Sequence, residues 1–203
     1  MSAIVPMLAI GLASAVAMAQ EPGRATATAD AREQSTGSLF NAEDLRFLQH
    51  MIVHHEQAVV MSSLVPARSD RAELNRFARY VARAQAAEIE VMQALLALAR
   101  DRGLAIHDHG LHGDPPMAGM LSTAEMNALA AASGAELERL WLEGMIYHHQ
   151  GAIDMAHAQQ RQQLANDHRP YGLDVLVEDI LVEQRAEITK MRAWLGEWGL
   201  AER

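Results

Sequence analysis

The chain carries one motif twice. Phe47–Met61 aligns without a gap with Trp141–Met155, and both read aromatic-L-x-x-M-I-x-H-H-x-x-A-x-x-M. A second segment repeats as well: Gln85-x-Ala87-Glu88-Ile89-x-x-Met92-x-x-x-Leu96 matches Gln184-x-Ala186-Glu187-Ile188-x-x-Met191-x-x-x-Leu195. Two segments repeated in the same order make the chain two copies of one unit. Their apolar spacing is that of helices, so the unit is a helical hairpin. Such a hairpin is too thin to bury its own apolar face, so the two copies are expected to pack as one pseudo-twofold bundle.

Punctuation divides the chain into helices. Asn41-x-x-Asp44 opens an apolar-periodic stretch that runs to Val65 and stops at Pro66. Asp70-x-x-Glu73 resembles a capping box for a long helix to about Arg102, with Gly103 as its stop. Ser122-x-x-Glu125 opens a short helix ending near Gly134, and Ser133-x-x-Glu136 opens a long one to about Gln163. The turn Asn166–Pro170 leads into a last helix to about Trp198, with Pro170 near its first position. No convincing alternating strand is present, and the long helices span roughly 35–45 Å at 1.5 Å per residue. The expected fold is all-α, a four-helix bundle made of two tandem helical hairpins. The hairpins occupy residues 39–103 and 122–200, joined by a loop over 104–121.

Residues 2–20 lack a charged side chain, and an apolar run ends in Ala17-Met18-Ala19, an A-x-A cleavage signature. The segment 1–19 reads as a secretory signal peptide cut after Ala19, although its first residues carry no Lys or Arg. Residues 20–38 read as a disordered N-terminal segment. The expected location is periplasmic or secreted, with no membrane association after cleavage. A net charge of -9 and the lack of any Lys/Arg block argue against a nucleic-acid partner. A homo-oligomer is compatible with the sequence.

The 203 residues contain no Cys but 12 Met and 10 His. This excludes disulfides, thiolate nucleophiles, zinc knuckles and iron–sulfur clusters. On a helix Met51 and His55 share a face, and His54 shares a stripe with Met61 seven residues on. The second copy gives Met145 with His149 and His148 with Met155, and His157 extends it. Met at helical spacing is more often a core filler than a ligand, and Met126 is read that way. A doubled His at the same place in both copies is not something core packing demands. Glu88 and Glu187 either pair with Arg or orient the imidazoles from behind, with Met92 and Met191 one turn further on. The connecting loop adds His107, His109, His112, Met117 and Met120 as a second tier of metal-capturing side chains.

Thioether sulfur is soft and favours Cu(I), whereas imidazole accepts Cu(I) and Cu(II). Zinc sites use Cys, His and carboxylate rather than Met. Copper is therefore the expected metal, with silver as a mimic. Two other classes stay open: a helical interaction module without metal, and a ferritin-like redox metalloenzyme. The latter lacks the Glu-x-x-His pairs of di-iron bundles; Asp154-x-x-His157 is the nearest approach. A zincin is excluded, because His55-Glu56 is not followed by the second His of that motif.

The repeated M-I-x-H-H-x-x-A-x-x-M, the stretch Met117–Ser122 and the E-I-x-x-M-x-x-x-L helices resemble the bacterial domain-of-unknown-function family 305. The resemblance covers about residues 39–198. It implies a ferritin-like arrangement of helical hairpins, export, and a link to copper binding and resistance. In that family the first motif typically continues H-H-x-G-A; here Gln57 takes the Gly position, whereas the second copy keeps Gly151. The first copy is accordingly expected to be less open than the second. The resulting expectation is an exported copper-binding protein that buffers or sequesters the metal and is not an enzyme.

Overall fold

The computed structural model describes residues 39–106 and 117–200. The proposed signal peptide, the segment 20–38, and His107, His109 and His112 lie outside the described residues. Five helices are present: α1 Ala42–Ser63, α2 Ala72–Asp101, α3 Thr123–Ala131, α4 Gly134–Ala165 and α5 Tyr171–Glu197. No strand occurs among the described residues.

The helix starts follow local chemistry in two cases and tertiary contacts in a third. Asn41 and Asp44 form a reciprocal capping box at α1, at 3.0 and 2.8 Å. Ser122 and Glu125 do the same for α3. The box expected from Asp70 and Glu73 does not form, because α2 starts one residue later with Arg71 as its N-cap and no side-chain cap. Ser69 and Arg71 are drawn instead onto the buried carboxylate of Glu138 on α4, at 2.7 Å each. Ser133 likewise precedes α4 without a side-chain cap, and Pro170 is the N-cap of α5 rather than its first turn.

The hairpins α1/α2 and α4/α5 meet along α1 and α4, which run through the middle of the bundle. Helices α2 and α5 flank them and touch each other at few points. The core is one continuous apolar cluster. Trp141 is fully buried, with Phe77 edge-on at 6.1 Å and Trp194 edge-on to Phe77 at 5.3 Å. Each such side chain contributes about 1.5–3 kcal/mol of burial or more, which is what holds helices of this length side by side. Asp44, fully buried, ties the start of α1 to the far end of α4. It accepts from Gln159 Nε2 at 2.6 Å and from His168 Nε2 at 3.0 Å.

Candidate metal centre

The repeated motif places adjacent histidines about 100° apart on α1 and again on α4. One of each pair faces the opposite copy, and the other faces its own hairpin partner. His54 and His148 meet between α1 and α4 with ring centroids 3.8 Å apart. His55 turns toward α2 and His149 toward α5. All four side chains are buried. The two copies therefore pool their imidazoles at one place on the pseudo-twofold.

Each imidazole is held by one nitrogen. His54 Nε2 donates to the Ala118 carbonyl at 3.0 Å, and His148 Nε2 donates to the His54 carbonyl at 2.8 Å. His55 Nε2 donates to Glu88 Oε2 at 2.8 Å, and His149 Nε2 to Glu187 Oε2 at 2.5 Å. A backbone carbonyl can only accept, so Nε2 carries the proton in His54 and His148, and Nδ1 keeps a lone pair. In all four residues Nδ1 is buried without a hydrogen-bond partner. Buried polar atoms are rarely left so, and four equivalent ones at one place call for an explanation.

The electrostatics keep His54, His55 and His148 uncharged. Burial pushes His54 down to about 3, helped by His55 and His149 and opposed by the Ala118 carbonyl. Burial and then His149 push His55 down to about 3. His148 lies well below the ordinary range, through burial and then His54, His149 and His55. Burial pushes the Glu88 carboxyl up to about 7, with Glu187 and Asp179 adding repulsion. Metal ligation needs neutral imidazole, and the fold holds three of these rings in that form at neutral pH.

The methionines of the same helices belong to the buried core. Met51, Met61, Met145, Met92 and Met191 are fully buried, and Met155 is partly so. The Met61 methyl packs toward Gly144 of α4, the position that His50 occupies in the first copy. Among the described residues, no three His, Cys, Asp or Glu side chains converge tightly enough to hold a metal ion by themselves. His157 stands apart, two turns beyond His149. Its Nδ1 pairs with Gln160 at 3.2 Å and its Nε2 with Arg185 at 2.6 Å.

The segment Met117–Met120 closes over α1 and α4. Gly119 adopts φ +79, and its Cα presses on Gly151 so closely that a Cβ on Gly151 would lie 2.1 Å from the Ala118 oxygen. Gln57, in the Gly position of the first copy, instead grips the Leu121 backbone through two hydrogen bonds of 2.9 and 2.8 Å. The one loop crosses both copies, so the Gln-for-Gly difference changes how the loop is held rather than which copy is covered. Met117 and Met120 bracket its turn, and both are partly buried.

Sequence reading missed the Ala118 carbonyl and two buried amides. Gln85 and Gln184 lie one turn before Glu88 and Glu187, almost fully buried, with unpartnered side-chain atoms. Their signal was present, since both open the repeated Gln-x-Ala-Glu segment.

These features define an all-helical bundle of two hairpins around a buried histidine cluster. The family described as Domain of unknown function (DUF305) matches residues 44–195, and the chain belongs to that family. Its structure is similar to a DUF305 protein of Streptomyces coelicolor described as secreted. The two are 31% identical with a TM-score of 0.66, over 77% of this chain and 94% of that one. It is also similar to a DUF305 fragment from Deinococcus radiodurans, at 30% identity and TM-score 0.64, over 77% of this chain and 97% of that one. A third relative, CopM, has been solved in Cu(I)-bound, Cu(II)-bound, Ag-bound and apo forms. Its Cu(I) form is 28% identical with a TM-score of 0.58, over 76% of this chain and 96% of that one. No curated protein matches the chain. No helix among the described residues is long and apolar enough to cross a membrane.

Proposed function

We propose that this protein is an exported copper-binding protein that buffers or sequesters the metal through His and Met, without catalysing a reaction. The observation that carries the reading is the set of four buried imidazoles, each tethered by Nε2 and each keeping an unpartnered Nδ1. Acceptors on the far nitrogen fix ring orientation and raise ligand basicity, as they do behind metal-bound histidines.

The imidazoles of His54, His55, His148 and His149 supply nitrogen donors, and Met51, Met61, Met145 and Met155 supply thioethers. Two histidines from each copy with buried sulfur on the same helices suit a soft monovalent ion better than zinc. The relative CopM, solved with copper and with silver, supports the same metal class. The loop residues His107, His109, His112, Met117 and Met120 are proposed as an outer capture tier, and His157 as its counterpart on α4.

Metal analysis and anaerobic Cu(I) titration of the mature protein, beside Zn(II) and Fe(II), test the reading. Copper is expected to bind in preference to the other ions. Equal or weaker binding of copper, with no effect of changes in the His pairs, overturns it.

A further inference from the structure

The histidine cluster is sealed on the α1/α4 side by the Ala118–Gly119 backbone, and its four rings are fully buried. An ion needs a way in. Helices α2 and α5 leave a groove between them, holding two cavities of about 540 and 500 Å³. Tyr80 and Glu183 line both cavities, so the two lie end to end along the same groove. Glu187 lines the larger and Glu88 the smaller. These are the carboxylates bonded to His149 and His55. A single side chain thus separates each cavity from an imidazole.

We propose that a soft metal cation reaches the histidine cluster through this α2–α5 groove, passing Glu183 and then the inner carboxylates of Glu88 and Glu187. The inference rests on the copper-binding reading above and adds the direction of entry. Glu187 is 6% exposed, and its Oε1 has no partner although the residue lines the larger cavity. Glu88 Oε1 is likewise buried and unpartnered beside the smaller one. Each inner carboxylate therefore has one oxygen on a ligand imidazole and one with no protein partner.

The charge pattern fits a cation path. Asp179, Glu183 and Glu88 line the smaller cavity and Glu183 and Glu187 the larger, so carboxylates face one another along the groove and repel. A cation entering between them relieves that repulsion. Three basic groups share the lining, Arg76 and Lys190 in the larger cavity and Arg83 in the smaller; Lys190 is held over the Phe77 and Trp194 rings, 5.3 and 5.1 Å from their centroids.

A path differs from a site in its kinetics. Obstruction slows entry and exit alike and leaves equilibrium affinity unchanged. The test mixes the mature protein anaerobically with Cu(I), quenches with an excess of chelator at set times, and counts protein-bound copper; release into chelator gives the off-rate. Val182→Trp and Ala186→Trp, each made together with Val175→Trp, fill the larger and the smaller cavity from exposed positions on α5, and Leu164→Trp is a control on α4 outside both. At least about a tenfold drop in both rates, at unchanged Kd, is expected for the groove variants but not for the control. The double variant with Val182→Trp, at a residue 64% exposed, keeps the test valid if the one with Ala186→Trp folds poorly. Wild-type rates in the Val182→Trp/Val175→Trp variant, with copper bound at wild-type affinity, overturn the path while leaving the site standing. Absence of copper binding in the wild type overturns both.

Discussion

His148 Nε2 donates to the backbone carbonyl of His54, its counterpart 94 residues earlier, at 2.8 Å. Strict twofold symmetry would have His54 return the bond to the His148 carbonyl. It does not: His54 donates to Ala118 instead, and Gly119 packs against the His148 carbonyl. One connecting loop cannot serve two copies identically, so the repeat is broken where the loop lands. The cluster keeps four tethered rings, three on the repeated elements and one on the loop.

The loop's seat is sensitive to a single methyl group. In Gly151→Ala the new Cβ meets Ala118 oxygen and carbon at 2.1 and 2.3 Å and Gly119 Cα at 2.5 Å, all backbone atoms that cannot swing aside. Overpacking of this kind costs about 1–3 kcal/mol. Urea unfolding should show that loss. Gly196→Ala, where nothing lies within 4 Å of the new Cβ, should instead stabilise α5 by up to about 1 kcal/mol. Equal stability of wild type and Gly151→Ala would mean that the loop does not press on α4.

Stability of the metal-free protein should depend on pH with a sign set by the histidines. His54 and His55 titrate at about 3 in the fold and at 6.5 when unfolded. Below pH 6.5 the unfolded chain binds protons that the folded chain refuses. Stability is then lost as pH falls, by up to about 1.4 kcal/mol per pH unit for each ring. His148 acts in the same direction. Glu88 acts oppositely: raised from 4.5 to about 7, its contribution is present below 4.5 and lost as pH rises through 7. Unfolding free energies should therefore fall from pH 6.5 to 4.5, where Glu88 offsets one of the three rings, and more steeply below. His55→Leu should flatten the profile. A flat wild-type profile from pH 7 to 4 would contradict the buried neutral cluster.

Much of the fold was legible, because a repeat with capping boxes leaves few arrangements open. Asn41/Asp44 and Ser122/Glu125 cap as their spacing implies, since a capping box is a local interaction. Asp70/Glu73 fails for a reason sixty-odd residues away, where Glu138 recruits Ser69 and Arg71. The candidate histidine cluster was legible in composition but not in number. Spacing placed a histidine pair on each copy, and only packing shows that His54 and His148 meet in one cluster, their rings tilted by 37°. The roles of Gln57 and Ala118 depend on where a loop crosses, which no periodicity encodes.

Export makes a prediction independent of the metal. Cleavage after Ala19 should leave Gln20 as the first residue of the protein recovered from its native host. Mass spectrometry of the intact protein reads this directly. A chain that retains Met1 in a cytosolic fraction would sink the export argument.

Whether the buried motif itself holds the metal is decided by copper-dependent melting of the Met51→Leu/His55→Leu variant beside wild type. Both swaps are near volume-conserving, and the Met change should cost under about 1.5 kcal/mol in the metal-free fold. Loss of His55 leaves Glu88 without its partner, a cost softened because this carboxyl protonates near neutrality. Metal at about 100 times its dissociation constant adds about 2.7 kcal/mol to a folded protein that binds it. Wild type is expected to melt higher with Cu(I) than without, and the double variant to show a clearly smaller rise. The matching Met145→Leu/His149→Leu pair should behave alike, since its rings join the same cluster. An undiminished copper shift in both variants would contradict the account and assign the metal to the segment His107–Met120.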